Sequence, residues 1–488
     1  MNTLKQKAIN GILWNAADRF SQQSIRFVFL IILARLLLPE DFGIIGMLAI
    51  FMAVAQSLID SGFGSALIQK KDADQVDFSS VFYLNLIIGF ALFLLIYVSA
   101  PLIAQFFKEP QLTNISRFMG LIFILHSFSL IQTTFLIKKI DFKTQTKVGM
   151  ISVALSGIIG IILAYNGFGV WSLAIQNVSM VFFRSLMLWI LSKWRPAFMF
   201  NLKSIKSLFS FGSKLLVSGL LNQFFENIYY FVIGKAFDAR TLGYYNQANR
   251  FQQYPSQNMT SIVESVTFPV FSQVQDDNNR LKRGYKKALK TLAYFNFPLM
   301  IGSIAIAKPF FGFLLTEKWL PAVPYFQLLC VIGVFFPIQS LNLNILKVKG
   351  RSDLFLKLEI IKRGITIVAI AVCLPFGILA LVIGQVIVTF VAYFINTYYS
   401  ARFIDYGTKK QIIDIIPYLF LSFLMGLIVW IIGAIINLQY FPKLVIQISA
   451  GVVFYYLISR LVNFEAYKES IEIFKTLLLK RRSVLIGE

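Results

Sequence analysis

The sequence predicts an all-α polytopic membrane protein, with about fourteen transmembrane helices in two parallel six-helix lobes plus a C-terminal helix pair. Three observations predict it. Hydrophobic residues make up 57% of the 488 and charged residues only 14%, with a mean hydropathy of +0.71. A soluble domain carries about 25% charged residues, so this apolar excess must face lipid. Apolar segments of about 20 residues, enough to cross about 30 Å of hydrocarbon, recur along the whole chain. Finally, a ten-residue pattern at the end of the first segment returns 200 residues later.

The first segment, about 9–38, follows Lys5 and Lys7 without a small-residue cleavage site and reads as a retained span. The second (41–67) stops at Lys70-Lys71, and the third (80–106) at Lys108-Glu109-Pro110. The fourth (113–137) ends at Lys138-Lys139, the fifth (148–166) at Asn166-Gly167, and the sixth (169–192) at Lys193. After a linker come the seventh to twelfth, over 207–234, 241–274, 288–315, 320–346, 354–374 and 376–401. A last pair covers 412–437 and 442–461. The eighth has two readings: Asn246, Gln247, Asn249, Arg250, Gln252, Gln253, Gln257 and Asn258 make it a loop or a helix lining a wet cavity. The repeat favours the helix.

That repeat sets Ala34-Arg35-Leu36-Leu37-Leu38-Pro39-Glu40-Asp41-Phe42-Gly43 against Gly234-Lys235-Ala236-Phe237-Asp238-Ala239-Arg240-Thr241-Leu242-Gly243. Phe168-Gly169-Val170 likewise matches Phe376-Gly377-Ile378. The organisation expected is an N-terminal six-helix lobe over 1–195, a cytoplasmic linker over 196–206 and a second six-helix lobe over 207–402. The helix pair then occupies 403–462. The remaining tail, 463–488, has apolar residues at Phe464, Tyr467, Ile471, Phe474 and Leu478 and is expected to lie in the interface.

With the N-terminus inside, 33 of the 46 Lys and Arg residues fall on the cytoplasmic side, and five fall outside: Lys108, Lys235, Arg240, Lys318 and Lys443. The net charge of +23 is therefore a topology signal, with both termini cytoplasmic. It does not form a nucleic-acid stripe.

Enzyme signals are thin. The single histidine, His126, excludes His clusters and reads as a hydrogen-bonded structural residue. Cys330 and Cys373 read as buried bystanders, and Asp72-Ala73-Asp74 as a solvated charge run in a short loop. No phosphate-binding glycine loop appears, and no cofactor is expected.

Ionisable residues inside a bilayer are expensive and mark function. Asn15, Arg19, Gln22 and Arg26 share one face of the first span, with Gln23 beside it; Gln56 and Asp60 stand on the second. Lys214, Asn222, Gln223 and Glu226 mark the seventh span, and Arg250 with Gln253 the eighth. The first two helices of each half would thus line a central cavity in which Arg19, Arg26, Arg250 and Lys214 hold an anion. Arg117 and Arg184, near span ends, would snorkel to the interface.

The six-plus-six-plus-two pattern, Leu37-Leu38-Pro39-Glu40-Asp41-Phe42-Gly43 and Asp60-Ser61-Gly62-Phe63-Gly64 resemble the polysaccharide and O-antigen (Wzx-type) flippases of the multidrug/oligosaccharidyl-lipid/polysaccharide exporter superfamily. The resemblance covers the chain to about residue 462. It implies transport of an undecaprenyl-diphosphate-linked oligosaccharide across the bacterial inner membrane for polysaccharide or lipopolysaccharide assembly. Membrane lipid and glycan polymerase machinery would be its neighbours, and a coupling ion, Na+ or H+, is left open. A cationic cavity suits a diphosphate, because the guanidinium fork matches phosphate oxygens. The alternatives are a drug/cation antiporter of the same superfamily, which would prefer an acidic cavity, and a membrane enzyme polymerising or ligating the same glycan.

Overall fold

The computed structural model describes residues 21–60 and 62–469, without the side chains of Ser210, Phe211, Lys214 and Ile262. Helix α1 runs through 21–36. Then follow α2 (Pro39–Asp60), α3 (Phe63–Gln69), α4 (Gln75–Phe107), α5 (Leu112–Met119), α6 (Leu121–Lys138), α7 (Phe142–Tyr165) and α8 (Val170–Leu191). After the linker come α9 (Leu202–Ala236), α10 (Ala239–Gln273), α11 (Asn278–Leu314), α12 (Val323–Val348), α13 (Ser352–Cys373), α14 (Ile378–Ile404), α15 (Thr408–Ile435) and α16 (Tyr440–Val462).

Among the described residues, each expected segment overlaps a helix or a broken helix pair, the first of them only from residue 21 onward. Ten spans among the described residues are long and apolar enough to cross a membrane. Helices α9, α10 and α13 are 35, 35 and 22 residues long and fall outside that set through their polar and charged side chains. The doubtful eighth segment is helical, and α10 runs unbroken through Pro255 and Pro269. The second segment breaks at Gly62, whose φ of 70° is a left-handed value that glycine adopts without penalty.

Polar residues set the helix starts. Asp74 accepts from the Asp77 amide at 2.9 Å while Asp77 accepts from the Asp74 amide at 3.2 Å, a reciprocal capping box on α4. The Asp72-Ala73-Asp74 run thus supplies a helix cap. Asp141, Asn201 and Asp277 cap α7, α9 and α11 by accepting from first-turn backbone amides, without the reciprocal bond.

By contacts the chain divides into two compact units, Met1–Asn246 and Gln247–Glu488, with the division inside α10. In the first, Phe63, Phe78, Phe82, Ile131 and Trp194 form a buried cluster. The linker is tied to α4. Trp194 Nε1 donates to Gln75 Oε1 at 2.8 Å, and the amides of Ala197 and Asn201 donate to Ser79 and Ser80 Oγ at 3.0 and 2.9 Å.

In the second unit a larger core joins α11, α12, α14 and α15 with the start of the tail, where Ala466 is 1% exposed and Phe464 and Tyr467 pack alongside. Lys290 pairs with Glu465 at 2.7 Å and Lys287 with Glu469 at 3.1 Å. The described start of the tail, up to Glu469, therefore docks against α11; Ile471, Phe474 and Leu478 lie outside the described residues. A fully buried network holds the helices together: Tyr285 Oη donates to Gln411 Oε1 at 3.2 Å, Gln411 Nε2 to Asn342 Oδ1 at 3.2 Å, and Ser400 Oγ to the same oxygen at 2.6 Å. Cys330 is buried, whereas Cys373 is only half-buried, and both are free thiols.

Candidate functional site

Of the two candidate cations whose side chains are described, the one on helix α1 is exposed and the one on α10 half-buried. Arg26 is exposed, and its Nη2 donates to Gln22 Oε1 one turn away at 3.5 Å. Gln22 is itself held, because its amide fills the space beside Gly149 on α7, where a Cβ would overlap it. Phe29 occupies the corresponding notch at Gly157. Two glycines two turns apart thus seat α1, and the Gln22 carbonyl is left to orient the guanidinium. Gln23 is half-buried. Asn15 and Arg19 lie outside the described residues.

Helices α2 and α9 run antiparallel along a seam of small residues. Gly234 meets Met47, Gly219 meets Ser57, and a Cβ on Gly62 would overlap the Gly212 backbone. Small residues permit such backbone approach between membrane helices. At the repeat motif the contact is reciprocal, with Gly43 against the Ala239 carbonyl and Gly243 against the Pro39 carbonyl. Asn246 Nδ2 donates to the Phe42 carbonyl at 3.0 Å, and Arg240 pairs with Glu40 at 3.2 Å. Beside the seam, Gln56 and Gln223 are half-buried, while Asp60, Asn222 and Glu226 are exposed. The Lys214 side chain lies outside the described residues.

On α10, Arg250 and Gln253 are half-buried. The amide-rich face expected to line a cavity is instead largely turned into packing. Gln247 and Gln252 are 0% and 5% exposed, and the Gln252 amide lies where a Cβ on Gly333 of α12 would fall. Both side-chain amide atoms of Gln247 lack a hydrogen-bond partner among the described residues.

Two charged groups escaped sequence reasoning. Arg184 on α8 is exposed and is the charge neighbour of both Asp60 on α2 and His126 on α6. His126 is not the hydrogen-bonded residue expected, since its buried Nδ1 has no partner among the described residues. Glu359, Lys362 and Arg363 stand inside α13, where the sequence tally counted the two cations as cytoplasmic topology signals. Their spacing of three and four in an otherwise apolar segment was the available clue.

Among the described residues no group of three or more His, Cys, Asp or Glu could hold a metal ion. A groove of about 470 Å³ between α11, α15 and α16, lined by Phe295, Pro298, Leu299, Met425, Ile448 and Val452 among others, offers apolar walls suited to hydrocarbon.

The family model described as polysaccharide biosynthesis protein matches residues 32–324. The chain belongs to this family. The polysaccharide biosynthesis proteins it resembles include the teichuronic acid biosynthesis protein TuaB of Bacillus subtilis (strain 168), 30% identical over 356 residues that cover 72% of this chain and 74% of that protein. The lipopolysaccharide biosynthesis protein WzxC of Escherichia coli (strain K12) is 25% identical over 406 residues, covering 80% and 81%. Among solved structures, the lipid II flippase MurJ in an inward closed conformation superposes with a TM-score of 0.77 at 17% identity, covering 94% of this chain and all of that one. The family read from the Leu-Leu-Pro-Glu-Asp-Phe-Gly motif is thereby shown, and the fold of this polysaccharide biosynthesis protein is that of the flippase.

Proposed function

We propose that this protein transports a lipid-linked oligosaccharide, carried on undecaprenyl diphosphate, across the bacterial inner membrane by alternating access. Both termini are cytoplasmic in this reading, and the product feeds glycan polymerase machinery on the outer side. One observation carries it beyond family membership: Arg26 presents an exposed guanidinium from within a span, oriented by a glutamine that α7 holds in place. A cation kept there without function would be a cost, and a diphosphate offsets it through charge-assisted hydrogen bonds. Arg19, Lys214 and Arg250 belong to the same anion site, with Asn15, Gln22, Gln23, Gln56, Asp60, Asn222, Gln223, Glu226 and Gln253 as its polar surround. The cationic set disfavours a drug/cation antiporter.

The test is deletion of the gene in cells fed labelled glycan precursor. Loss of a flippase traps lipid-linked repeat units on the cytoplasmic leaflet, whereas loss of a polymerase leaves single units displayed outside. The second outcome would reject the proposal. Reconstituted vesicles with an imposed Na+ or H+ gradient then read whether transport is coupled.

A further inference from the structure

The segment that joins α8 to α9 lies within the first unit, where the sequence places a cytoplasmic linker. Its polar groups fix it to α4. Gln75 Nε2 donates to the Arg195 carbonyl at 2.6 Å, Trp194 Nε1 donates back to Gln75 Oε1, and Ser79 and Ser80 accept from the Ala197 and Asn201 amides. Between those two anchored amides the Met199 amide donates to the Ala197 carbonyl at 2.7 Å, a three-residue turn with Phe198 at its tip. Phe198 is 101% exposed, and Met199, Phe200 and Leu202 are 50–71% exposed. An anchored backbone thus holds four large apolar side chains outward.

The surface of α4 beside the turn shows what they meet. Tyr83, Ile87, Phe90 and Leu94 follow one another at helical spacing on a single stripe. Ile87, Phe90 and Leu94 are exposed, and an exposed apolar stripe on a membrane span faces lipid. The Phe198 ring stacks on Tyr83, with centroids 6.4 Å apart and planes 24° from parallel, so the turn prolongs that stripe. Its irregular backbone needs water for its polar groups and stays at headgroup depth. Aromatic side chains favour that depth.

Charge completes the pattern. No Asp or Glu occurs from residue 142 to residue 225, whereas Lys193, Lys203 and Lys206 flank the turn and are exposed. The acids before α4 are compensated in their own neighbourhood: Asp77 pairs with Lys70 at 2.6 Å, and Lys138 is the charge neighbour of both Asp77 and Asp72.

We propose that residues 193–206 bind an anionic phospholipid of the cytoplasmic leaflet. Phe198, Met199 and Phe200 enter its acyl layer, and Lys193, Lys203 and Lys206 hold its phosphate. The site uses none of the residues assigned to the substrate; from the function proposed above it takes only the side of the membrane. A soluble acidic protein would answer the lysines but not Phe198, whose Tyr83 platform continues into the lipid-facing stripe. Because its hydrogen bonds make the turn move with α4, a lipid bound there anchors the first unit at a fixed depth.

The experiment places a bimane fluorophore on Met199→Cys in the full chain, with Cys373→Ala and the buried Cys330 retained, in phosphatidylcholine vesicles. Phosphatidylglycerol spin-labelled on its acyl chain should quench the fluorophore at about one-tenth the mole fraction that labelled phosphatidylcholine needs, since each cation favours an anionic surface roughly fivefold. Lys193→Gln/Lys203→Gln/Lys206→Gln should bring the two lipids level, and Phe198→Ser should weaken quenching by both. Equal quenching in the parent protein, or a preference unchanged in the triple variant, would overturn the anion site. A fluorophore that neither lipid quenches would mark an aqueous turn suited to a protein partner and overturn the proposal entirely. Displacement of the labelled phosphatidylglycerol by undecaprenyl phosphate more readily than by unlabelled phosphatidylglycerol would give the turn to the substrate and overturn the phospholipid assignment.

Discussion

Gly43 and Gly243, 200 residues apart, each press against the backbone carbonyl that opens the other's helix: Gly43 against Ala239, Gly243 against Pro39. No residue with a Cβ fits at either point without moving a backbone. The two copies of the motif interlock at the end of the molecule predicted to face outward.

Gly43→Ala and Gly243→Ala should each destabilise the protein by about 1–3 kcal/mol, the usual cost of overpacking. The two positions share one contact, so the double variant should lose less than the sum. Thermal unfolding in detergent reads both quantities, and strict additivity would mean that the contacts are independent.

Separation of this contact is the step that alternating access requires there. Phe42 and Leu242, matching positions of the repeat, are 1% and 0% exposed and unsuitable for cross-linking. Glu40 and Arg240 pair at 3.2 Å with side chains 48% and 58% exposed. A cleavable cross-link between Glu40→Cys and Arg240→Cys should stop transport, and its cleavage should restore it. Transport at the uncross-linked rate would show that the two motifs need not part.

Arg19→Ala, Arg26→Ala and Arg250→Ala should each slow transport about ten- to a hundredfold, from a charge-assisted bond worth about 1.5–3 kcal/mol and about 1.4 kcal/mol per decade. Lysine should rescue in part, since it keeps the charge and loses the fork. Gln22→Leu removes only the orientation of Arg26 and should cost less than Arg26→Ala. Wild-type rates in all three alanine variants would move the site elsewhere.

Gln411→Leu should cost about 1–3 kcal/mol by leaving the buried Tyr285 hydroxyl unsatisfied. Adding Tyr285→Phe removes the orphan, so the double variant should be more stable than Gln411→Leu alone. Equilibrium unfolding of the three proteins decides; a double variant no better than the single would mean that the hydroxyl finds another partner.

The hydrogen bond from Lys282 to Asp405, with Lys282 and Lys410 charges nearby, holds that carboxylate below the usual range, and the Lys290 hydrogen bond does the same for Glu465. A carboxylate with a depressed folded-state pKa contributes stability above its unfolded value and loses it as pH falls through the folded one. The melting temperature should therefore drop as pH falls below about 4, near the unfolded carboxylate values. Asp405→Asn/Glu465→Gln should melt lower at neutral pH and show a shallower acid drop. An equally steep drop in the variant would assign the acid sensitivity to other groups.

The helices were legible because apolar length and basic punctuation are written residue by residue, and the repeat because its motif survives in order. The seam between α2 and α9 was not, since a glycine announces close approach only once its partner is known. Side-chain direction was equally hidden: Gln22 and Gln252 read as cavity residues until Gly149 and Gly333 showed where their amides lodge. On α13 the positive-inside signal itself concealed Lys362 and Arg363, because one charge count served both topology and chemistry. Arg184 was discounted for standing near a span end, although folding brings Asp60 and His126 to it.

The reciprocal glycine contact has the geometry of an isologous dimer interface, where residue i meets j and j meets i, yet it forms within one polypeptide. In a true two-chain dimer both partners share one sequence, so an acid at position 40 would confront another acid at the matching position. Covalent doubling lifts that identity. Here the matching position is Arg240, and the pair that identical subunits would make repulsive becomes an ion pair across the interlock.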